Sequence, residues 1–254
     1  MVKHFFGHDW FERHVSPASP VPGFLRIVPG QDAETTLTAF KIVDFAELLF
    51  NLQNIEGVDI CLDRMRQGNI EGTYAELDFG RMLYLANLNF RYVEPSGVLG
   101  TDYDIEIILP DGMVVCADAK CKIETTTFSA KSVLHTLRHA RTQFPKERPS
   151  AIFVKVPPSW LDDLSVAREL LTVGREFLRE TGRIVSVKFY VTHLTYGDGK
   201  LIHAHVFKEL SNAGNRFNPE RDWDMFVEAP KPANWNGMPQ RWRRLLFFPK
   251  DGPT

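Results

Sequence analysis

Residues 102–120, DYDIEIILPDGMVVCADAK, decide how this sequence is interpreted. Apolar and polar residues alternate on both sides of the turn sequence Pro110-Asp111-Gly112, a pattern that predicts a β-hairpin. Strands usually contain few Asp or Lys residues. The charged residues of this predicted hairpin therefore call for an explanation of their own.

The register of the hairpin decides which charged side chains meet. If Asp111 lies at the centre of the turn and no bulge intervenes, Asp104 faces Asp118 and Asp102 faces Lys120. Because side chains alternate between the faces of a strand, the even-numbered face carries the polar set: Asp102, Asp104, Glu106, Cys116, Asp118 and Lys120. The odd-numbered face is predicted to lie toward a core: Ile105, Ile107, Val115, Ala117 and Ala119.

Two carboxylates placed directly opposite each other repel, and each raises the pKa of the other. A divalent cation removes this repulsion, and Mg²⁺ prefers carboxylate oxygens, water and substrate phosphates as ligands. Lys120 would then orient a water or stabilise negative charge on a phosphate. The hairpin thus predicts a site that hydrolyses phosphodiesters. The alternative is a solvent-exposed charged face with a salt bridge between Asp102 and Lys120.

The remaining pattern predicts helices and strands around this hairpin. Helical spacing covers residues 43–53 and 69–89, a helix capped by Ser129 extends to Phe144, and a long amphipathic helix covers 160–180 with Gly182 beyond its end. Strands are predicted at 90–95 and 150–158, and a second hairpin spans 183–210 around Gly-Asp-Gly. This order predicts an α/β domain with a mixed sheet flanked by helices.

Three regions follow from these elements. Residues 1–68 form a predicted N-terminal extension, rich in aromatic residues, Pro and Gly at its start, with a helix that packs on the core. Residues 69–210 form the main domain. Residues 211–254 form an aromatic and Pro-rich C-terminal extension of irregular structure, packed on the domain, in which RRLLFFP (243–249) is a candidate edge strand.

A helix with an embedded Glu, three strands, a helix and a further strand resemble the core of the PD-(D/E)xK nuclease superfamily, the restriction-endonuclease-like αβββαβ fold. The motif in this sequence is Asp104 followed by Asp118-Ala119-Lys120, and Glu76 stands where many members carry an acid on the first core helix. The resemblance covers about residues 69–157. It implies a Mg²⁺-dependent nuclease, with Mn²⁺ as a substitute, in which Glu76, Asp104 and Asp118 hold the metal and Lys120 is catalytic.

The sequence departs from the pattern of the family at several points. The proline that often precedes the first Asp is absent, and the second acid is Asp where Glu is commoner. Asp102 is an alternative to Asp104, although the register favours Asp104. Glu71 and Asp78 are alternatives to Glu76.

Further positions are candidates for contact with substrate. The lysine strand continues to Lys122, and the helix after it carries Arg138, Arg141 and Gln143. Nucleic acid, DNA in preference to RNA, is the expected partner, and many members of such families act as homodimers. The alternative function is an inactive module of the same fold that binds nucleic acid or a protein.

Composition limits the other possibilities. The formal net charge of the 254 residues is −2, so any basic surface that binds nucleic acid must be local. Three cysteines without a CxxC pattern argue against a disulfide framework. The His pairs 4/8, 135/139 and 203/205 are rival zinc ligands without a supporting motif. Because neither a signal peptide nor an apolar run of roughly 18 residues is present, we expect a cytoplasmic protein that does not enter the membrane.

Overall fold

A six-stranded mixed sheet forms the centre of the molecule, with helices on both of its faces. The computed structural model describes residues 1–16, 24–27, 32–197, 200–221 and 223. The α/β class and the mixed sheet flanked by helices, both predicted from the sequence, are confirmed. None of the helices in this described part combines the length and apolar character needed to cross a bilayer.

The elements follow one another along the chain in an order that the sequence pattern largely predicts. The helices are α1 (Val2–Phe6), α2 (His8–His14), α3 (Asp32–Leu52), α4 (Val58–Arg66), α5 (Ile70–Leu85), α6 (Ala130–Gln143), α7 (Pro158–Asp162) and α8 (Leu164–Arg179). The strands are β1 (Asn89–Tyr92), β2 (Ile105–Ile108), β3 (Val114–Cys121), β4 (Ser150–Lys155), β5 (Ile184–Gly197) and β6 (Lys200–Ser211).

The strands lie in the sheet in their chain order, from β1 to β6. The first three form an antiparallel meander, and β5 pairs with β6 as an antiparallel hairpin. Parallel pairing joins β3 to β4 and β4 to β5. Parallel neighbours need a crossover connection, and α6 makes the first of these crossovers while α7 and α8 make the second.

The register predicted for the β2–β3 hairpin is confirmed. Ile105 pairs with Ala117, and Glu106 pairs with Cys116. Past the end of β2 the alignment shifts by one residue, because the backbone N–H of Asp104 donates over 3.1 Å to the carbonyl of Ala117, which is already the partner of Ile105. A slip of one residue would exchange the two faces of each strand, so this register fixes the faces of residues 105–108 and of their partners 114–117.

Both faces of the β2–β3 hairpin are covered. The odd-numbered face packs under α3, α4 and α5, as predicted. The even-numbered face lies under α6 and α8, where Cys116 and Asp118 have no exposed surface. The alternative of a solvent-exposed charged face is therefore wrong, because the parallel partner β4 brings helices to the second face of the sheet.

Several helical regions differ from the sequence prediction. Helix α3 begins at Asp32 and not near residue 43, and α4 was not predicted. The long helix predicted over 160–180 is broken at Asp163, whose carboxylate accepts hydrogen bonds from the backbone N–H of Ser165 and Val166 and so starts α8 anew. The C-cap of α8 is Glu180, so Gly182 lies beyond the cap. Near the N-terminus, α1 and α2 were not predicted. Val2 and Phe6, four residues apart on α1, and Trp10 on α2 are all buried.

Part of the C-terminal extension packs on the domain. Asn212 and Asn215 are buried and hydrogen-bonded in the turn that follows β6. Trp223 is buried in the core and donates its indole N–H to the carbonyl of Asn218. The candidate edge strand at 243–249 lies outside the described residues.

Helix α5 approaches β1 most closely at Gly80, and this contact yields a stability prediction. A Cβ atom at Gly80 would lie 2.0 Å from Tyr92 Oη and 3.3 Å from Phe90 Cε2. We expect Gly80→Ala to lower the free energy of unfolding by about 1–3 kcal/mol in urea denaturation, because the clash outweighs the helix propensity gained. Gly72→Ala is the matched control in the same helix, since its Cβ would meet the flexible end of Asn69. If both variants are as stable as the wild type, α5 does not lie this close to β1.

Candidate metal centre

Asp118 lies in the carboxyl-terminal half of β3 and has no exposed surface. Its Oδ1 atom accepts a hydrogen bond from Lys120 Nζ over 2.8 Å. Its buried Oδ2 atom makes no hydrogen bond to any residue that the structure describes. Since leaving a buried carboxylate oxygen without a partner is costly, this atom is a position for a ligand that carries positive charge.

Asp104, just before β2, is held beside Asp118. Its Oδ2 atom accepts the backbone N–H of Ala119 over 2.9 Å, and its Oδ1 atom lies 3.6 Å from a guanidinium nitrogen of Arg64. The backbone N–H of Asp104 also donates to the carbonyl of Ala117, which holds the residue against β3. Asp104 therefore lies close to Asp118, but the two residues are not the directly opposed pair that was predicted, because Asp104 shares Ala117 with Ile105.

Asp102 has a different environment. Its Oδ1 atom accepts the backbone N–H of Gly97 over 2.9 Å, and its own N–H donates to the carbonyl of Gln143. It thus braces the loop before β2 against the end of α6. The alternative salt bridge between Asp102 and Lys120 is wrong, because Lys120 pairs with Asp118 and the chain has left the strand at Asp102. Of the two candidates, Asp104 is the acid that lies beside Asp118.

Glu76 projects from α5 and is 5% exposed. One of its carboxylate oxygens forms a short ion pair with a guanidinium nitrogen of Arg64, which comes from α4. Arg64 therefore contacts both Glu76 and Asp104, and it brings the acid of α5 to the acids of the hairpin.

The two rivals of Glu76 have other contacts. Asp78 is fully buried and lies in an ionic network of its own, with Arg81 at 2.6 Å, Thr192 at 2.5 Å and Lys155 at 3.4 Å. Glu71 lines a small cleft beyond the ends of β3 and β4. Glu76 is accordingly the acid of α5 that shares a partner with Asp104.

The electrostatics of the site follow from burial and from the crowding of like charges. Burial raises the pKa of Asp118, and the nearby Asp104 raises it further. Burial and Asp104 likewise raise the pKa of Glu76 to about 8, although Arg64 and Lys120 oppose the shift. Burial lowers the pKa of Lys120, but the Asp118 and Asp104 carboxylates more than offset it, so the net shift is upward. Lys120 is therefore an ammonium ion at neutral pH, while two of the acids resist ionisation unless a cation arrives.

The donor set fits Mg²⁺ in part. Within the part of the chain that the structure describes, no group of three or more His, Cys, Asp or Glu side chains is arranged to hold a metal ion. Mg²⁺, however, is usually bound by one or two carboxylates and keeps several waters. Asp104 and the Oδ2 atom of Asp118 supply carboxylate oxygens of this kind, whereas Glu76 is paired with Arg64.

The four predicted substrate-binding residues lie on or beside α6. Lys122 donates to the hydroxyls of Ser132 and Thr136 in α6, over 3.2 and 2.7 Å. Arg138 and Arg141 bind Glu180 at the end of α8, and so hold the two helices together. The carbonyl of Gln143 accepts the N–H of Asp102, and its side-chain oxygen is buried. A role of these four residues in substrate binding stays a prediction.

A small cleft adjoins Lys122 at the edge where the parallel strands β3 and β4 end. Its volume is about 30 Å³, and its charged lining residues are Lys41, Lys122, Lys155, Glu71 and Glu124. Ligands of α/β sheets commonly bind outside the carboxyl ends of parallel strands. The cleft therefore lies on the side of the sheet where substrate would be expected.

Arg64 is the site residue that the sequence did not reveal. Its helix α4 buries Val58, Cys61, Leu62 and Met65. Arg64 lies three residues after Cys61, at the border of this buried face, and its side chain is 19% exposed compared with 44% for Arg66. The position of Arg64 at the edge of the apolar stripe indicates that its side chain is partly buried. Only the packing of α4 on α5 shows that the side chain contacts Glu76.

A second missed group surrounds Glu106. Its carboxylate accepts hydrogen bonds from Arg91, from Tyr103 and from Arg148, and is 7% exposed. Burial would raise the pKa of Glu106, but these partners lower it overall. Both carboxylate oxygens of Glu106 thus have hydrogen-bond partners. Asp118, by contrast, has one oxygen that makes no hydrogen bond to a described residue.

Comparison of the chain with family models, with curated proteins and with solved structures gave no significant match in any of the three. The class that the described residues define is an α/β protein with a mixed sheet and a buried group of acids and cations at the β2–β3 hairpin.

The raised pKa of Glu76 gives a prediction about stability and pH. Between its ordinary pKa of 4.5 and its folded value of about 8, the folded chain binds a proton that the unfolded chain has lost, so this group makes stability fall as pH rises. Glu76→Gln removes the effect. In the presence of a chelator, we expect its free energy of unfolding, relative to the wild type, to increase by several kcal/mol between about pH 5 and about pH 9.

Denaturant titrations at the two pH values measure this difference. Glu147→Gln is the control, because the side chain of Glu147 is 88% exposed. A relative stability of Glu76→Gln that does not depend on pH would show that Glu76 ionises normally in the folded chain.

Proposed function

We propose that this protein is a Mg²⁺-dependent nuclease with a restriction-endonuclease-like core, which hydrolyses phosphodiester bonds of nucleic acid with DNA as the favoured substrate. The observation that carries the proposal is the state of Asp118. Its carboxylate is buried beside Asp104, one oxygen is bound to Lys120, and the other makes no hydrogen bond to a described residue. A protein seldom keeps such an arrangement for stability alone, and perturbed acids in contact with a charged partner mark functional sites.

The order and pairing of the elements support the proposed fold. Helix α5 is followed by the antiparallel strands β1, β2 and β3, by α6, and by β4, which is parallel to β3. This is the αβββαβ order of the family that the motif resembles. The acids lie on α5, just before β2, and on β3, which are the three elements where that family carries them.

The residues divide the chemistry between them. Asp104 and Asp118 would hold the cation, with Glu76 as the third acid. Bound Mg²⁺ would polarise the phosphate and lower the pKa of an attacking water. Lys120 is held protonated by Asp118, so it acts as a hydrogen-bond donor that positions water or offsets negative charge developing on the phosphoryl oxygens, and it does not act as a base.

Nucleic acid as substrate is supported by the local distribution of charge. The net charge of the chain is −2, which does not suit a surface that coats nucleic acid. Near the site, however, Lys122 is bound to neutral hydroxyls, so its charge is available to a phosphate. Lys41 and Lys155 line the adjoining cleft, where Glu71 and Glu124 offset part of their charge.

One contact favours a second function, a module that binds nucleic acid or a protein without cleaving it. The ion pair between Arg64 and Glu76 supplies the acid of α5 with a cation from the protein itself. If this contact is permanent, a divalent cation has only Asp104 and Asp118 as protein ligands. Cleavage assays separate the two functions, since a binding module of either kind produces no new DNA ends.

The test of nuclease activity combines several substrates with matched variants. Linear duplex, circular duplex, single-stranded DNA and RNA are incubated with Mg²⁺ or Mn²⁺. We expect cleavage of DNA by the wild type, and a loss of about a hundredfold or more in Asp118→Asn and in Lys120→Met, because each removes charge that acts on the transition state.

The controls are Asp59→Asn on α4 and Lys131→Met on α6, which remove the same charges from exposed positions. Both are expected to cleave as the wild type does, and circular dichroism establishes that all four variants are folded. Cleavage by Asp118→Asn and Lys120→Met at the wild-type rate would exclude this site as the catalytic centre.

A further inference from the structure

Arg64 occupies a position among the acids of the candidate metal centre. One of its terminal nitrogens pairs with Glu76 Oε2 and lies 3.6 Å from Cys61 Sγ, and the other lies 3.6 Å from Asp104 Oδ1. Its Nε atom makes no hydrogen bond to a described residue. The guanidinium is thus held through its two terminal nitrogens, by the same carboxylates that a metal ion would use.

A second buried arginine shows what a permanent ionic contact looks like in this chain. Arg81 is 1% exposed, and its terminal nitrogens bind Asp44 at 2.5 and 2.8 Å and Asp78 at 2.6 Å. Arg64 has one short contact and one long contact to acids, and its side chain is 19% exposed. The Arg64 side chain can therefore reach solvent, whereas the packing around Arg81 encloses that side chain.

The balance of charge points in the same direction. When ionised, the three carboxylates of Glu76, Asp104 and Asp118 face two cations, Arg64 and Lys120. This leaves one negative charge in excess, so the site is nearly neutral before any metal binds. A divalent ion added with Arg64 in place would leave an excess of positive charge in a buried site, which is unfavourable. Release of Arg64 to solvent restores neutrality.

We propose that Arg64 is the resident counter-cation of this site, and that it competes with the divalent cation for Glu76 and Asp104. The inference rests on the proposed function, because it assumes that the acids bind a metal. In the metal-free protein Arg64 keeps the carboxylates together and lowers their repulsion. When the cation binds, the guanidinium gives up Glu76 and turns toward solvent. Arg64 thereby sets the metal concentration at which the site fills.

Calorimetric titration with Mg²⁺ tests this competition directly. The measurement is made above the pKa of Glu76, so that proton release does not obscure the comparison. Removing a competing cation strengthens the binding of the other, and we expect Arg64→Gln to bind Mg²⁺ about tenfold more tightly than the wild type, within the range usual for coupled binding. The rise in melting temperature on addition of Mg²⁺ should likewise be larger for Arg64→Gln.

Three further variants make the result specific. Arg66→Gln removes the same charge from an exposed position two residues away on α4, where Arg66 pairs with Asp63, and should bind Mg²⁺ as the wild type does. Asp118→Asn should abolish binding in both backgrounds. Arg64→Lys keeps the charge but lacks the planar fork of the guanidinium, and should lie between the wild type and Arg64→Gln. If Arg64→Gln does not fold, Arg64→Lys tests the competition in its place.

Each remaining outcome decides against a particular claim. Equal or weaker binding in the Arg64 variants, with binding still abolished by Asp118→Asn, would overturn the competition and leave the nuclease proposal intact. Absence of Mg²⁺ binding in the wild type and in both Arg64 variants would overturn the nuclease proposal, and the competition with it.

Discussion

The position of the partly enclosed Asp104 beside the fully buried Asp118 is the constraint on which the rest of the candidate site depends. Two carboxylates that share a water-poor environment are tolerated only if they are protonated or matched by cations. Both conditions, protonation and nearby cations, are met in this chain. The pKa of Asp118 is raised, and Lys120 and Arg64 approach from opposite elements, β3 and α4. The backbone bond from Asp104 to Ala117 and the packing of α4 on α5 hold these groups in contact.

The two ionic groups of α5 illustrate different uses of buried charge. Around Arg81, the acids Asp44 and Asp78 have their charge matched, and the hydroxyls of Tyr74 and Thr192 complete the network. That group joins α3, α5 and β5, and its role is structural. Around Asp118, the acids outnumber the cations and one oxygen lacks a described partner. Proteins keep such unfavourable arrangements mainly where function requires them.

Much of the fold was predictable because local chemistry and the overall architecture agree. The turn Pro110-Asp111-Gly112 fixes the register of the hairpin, and the Ser129 side chain caps α6 as its position before an amphipathic stretch predicts. The break at Asp163 escaped prediction, because helical periodicity continues through it and only the capping geometry interrupts the backbone.

The candidate site was predictable only as far as the hairpin determines it. The alternation of the hairpin singled out Asp104 and Asp118, but their direct pairing is not formed, because the register shifts at Asp104. Glu76 required a resemblance, and Arg64 had no motif. The contacts of Arg64 depend on how α4 packs against α5, and pairings between helices leave little trace in local sequence. The burial of the even-numbered face was missed for a similar reason, because the parallel neighbour β4 comes from a strand more than thirty residues away in the chain.

The central claim is that the carboxylates at the β2–β3 hairpin form a site for a divalent cation. Crystals soaked in Mn²⁺ test it most directly, because the anomalous scattering of Mn²⁺ locates the ion without reference to any assumed site. The account predicts an anomalous peak within about 2.0–2.5 Å of an oxygen of Asp104 and of Asp118 Oδ2, with the Arg64 guanidinium moved away from Glu76. A peak elsewhere, or none while the ion pair of Arg64 and Glu76 stays in place, would contradict the account.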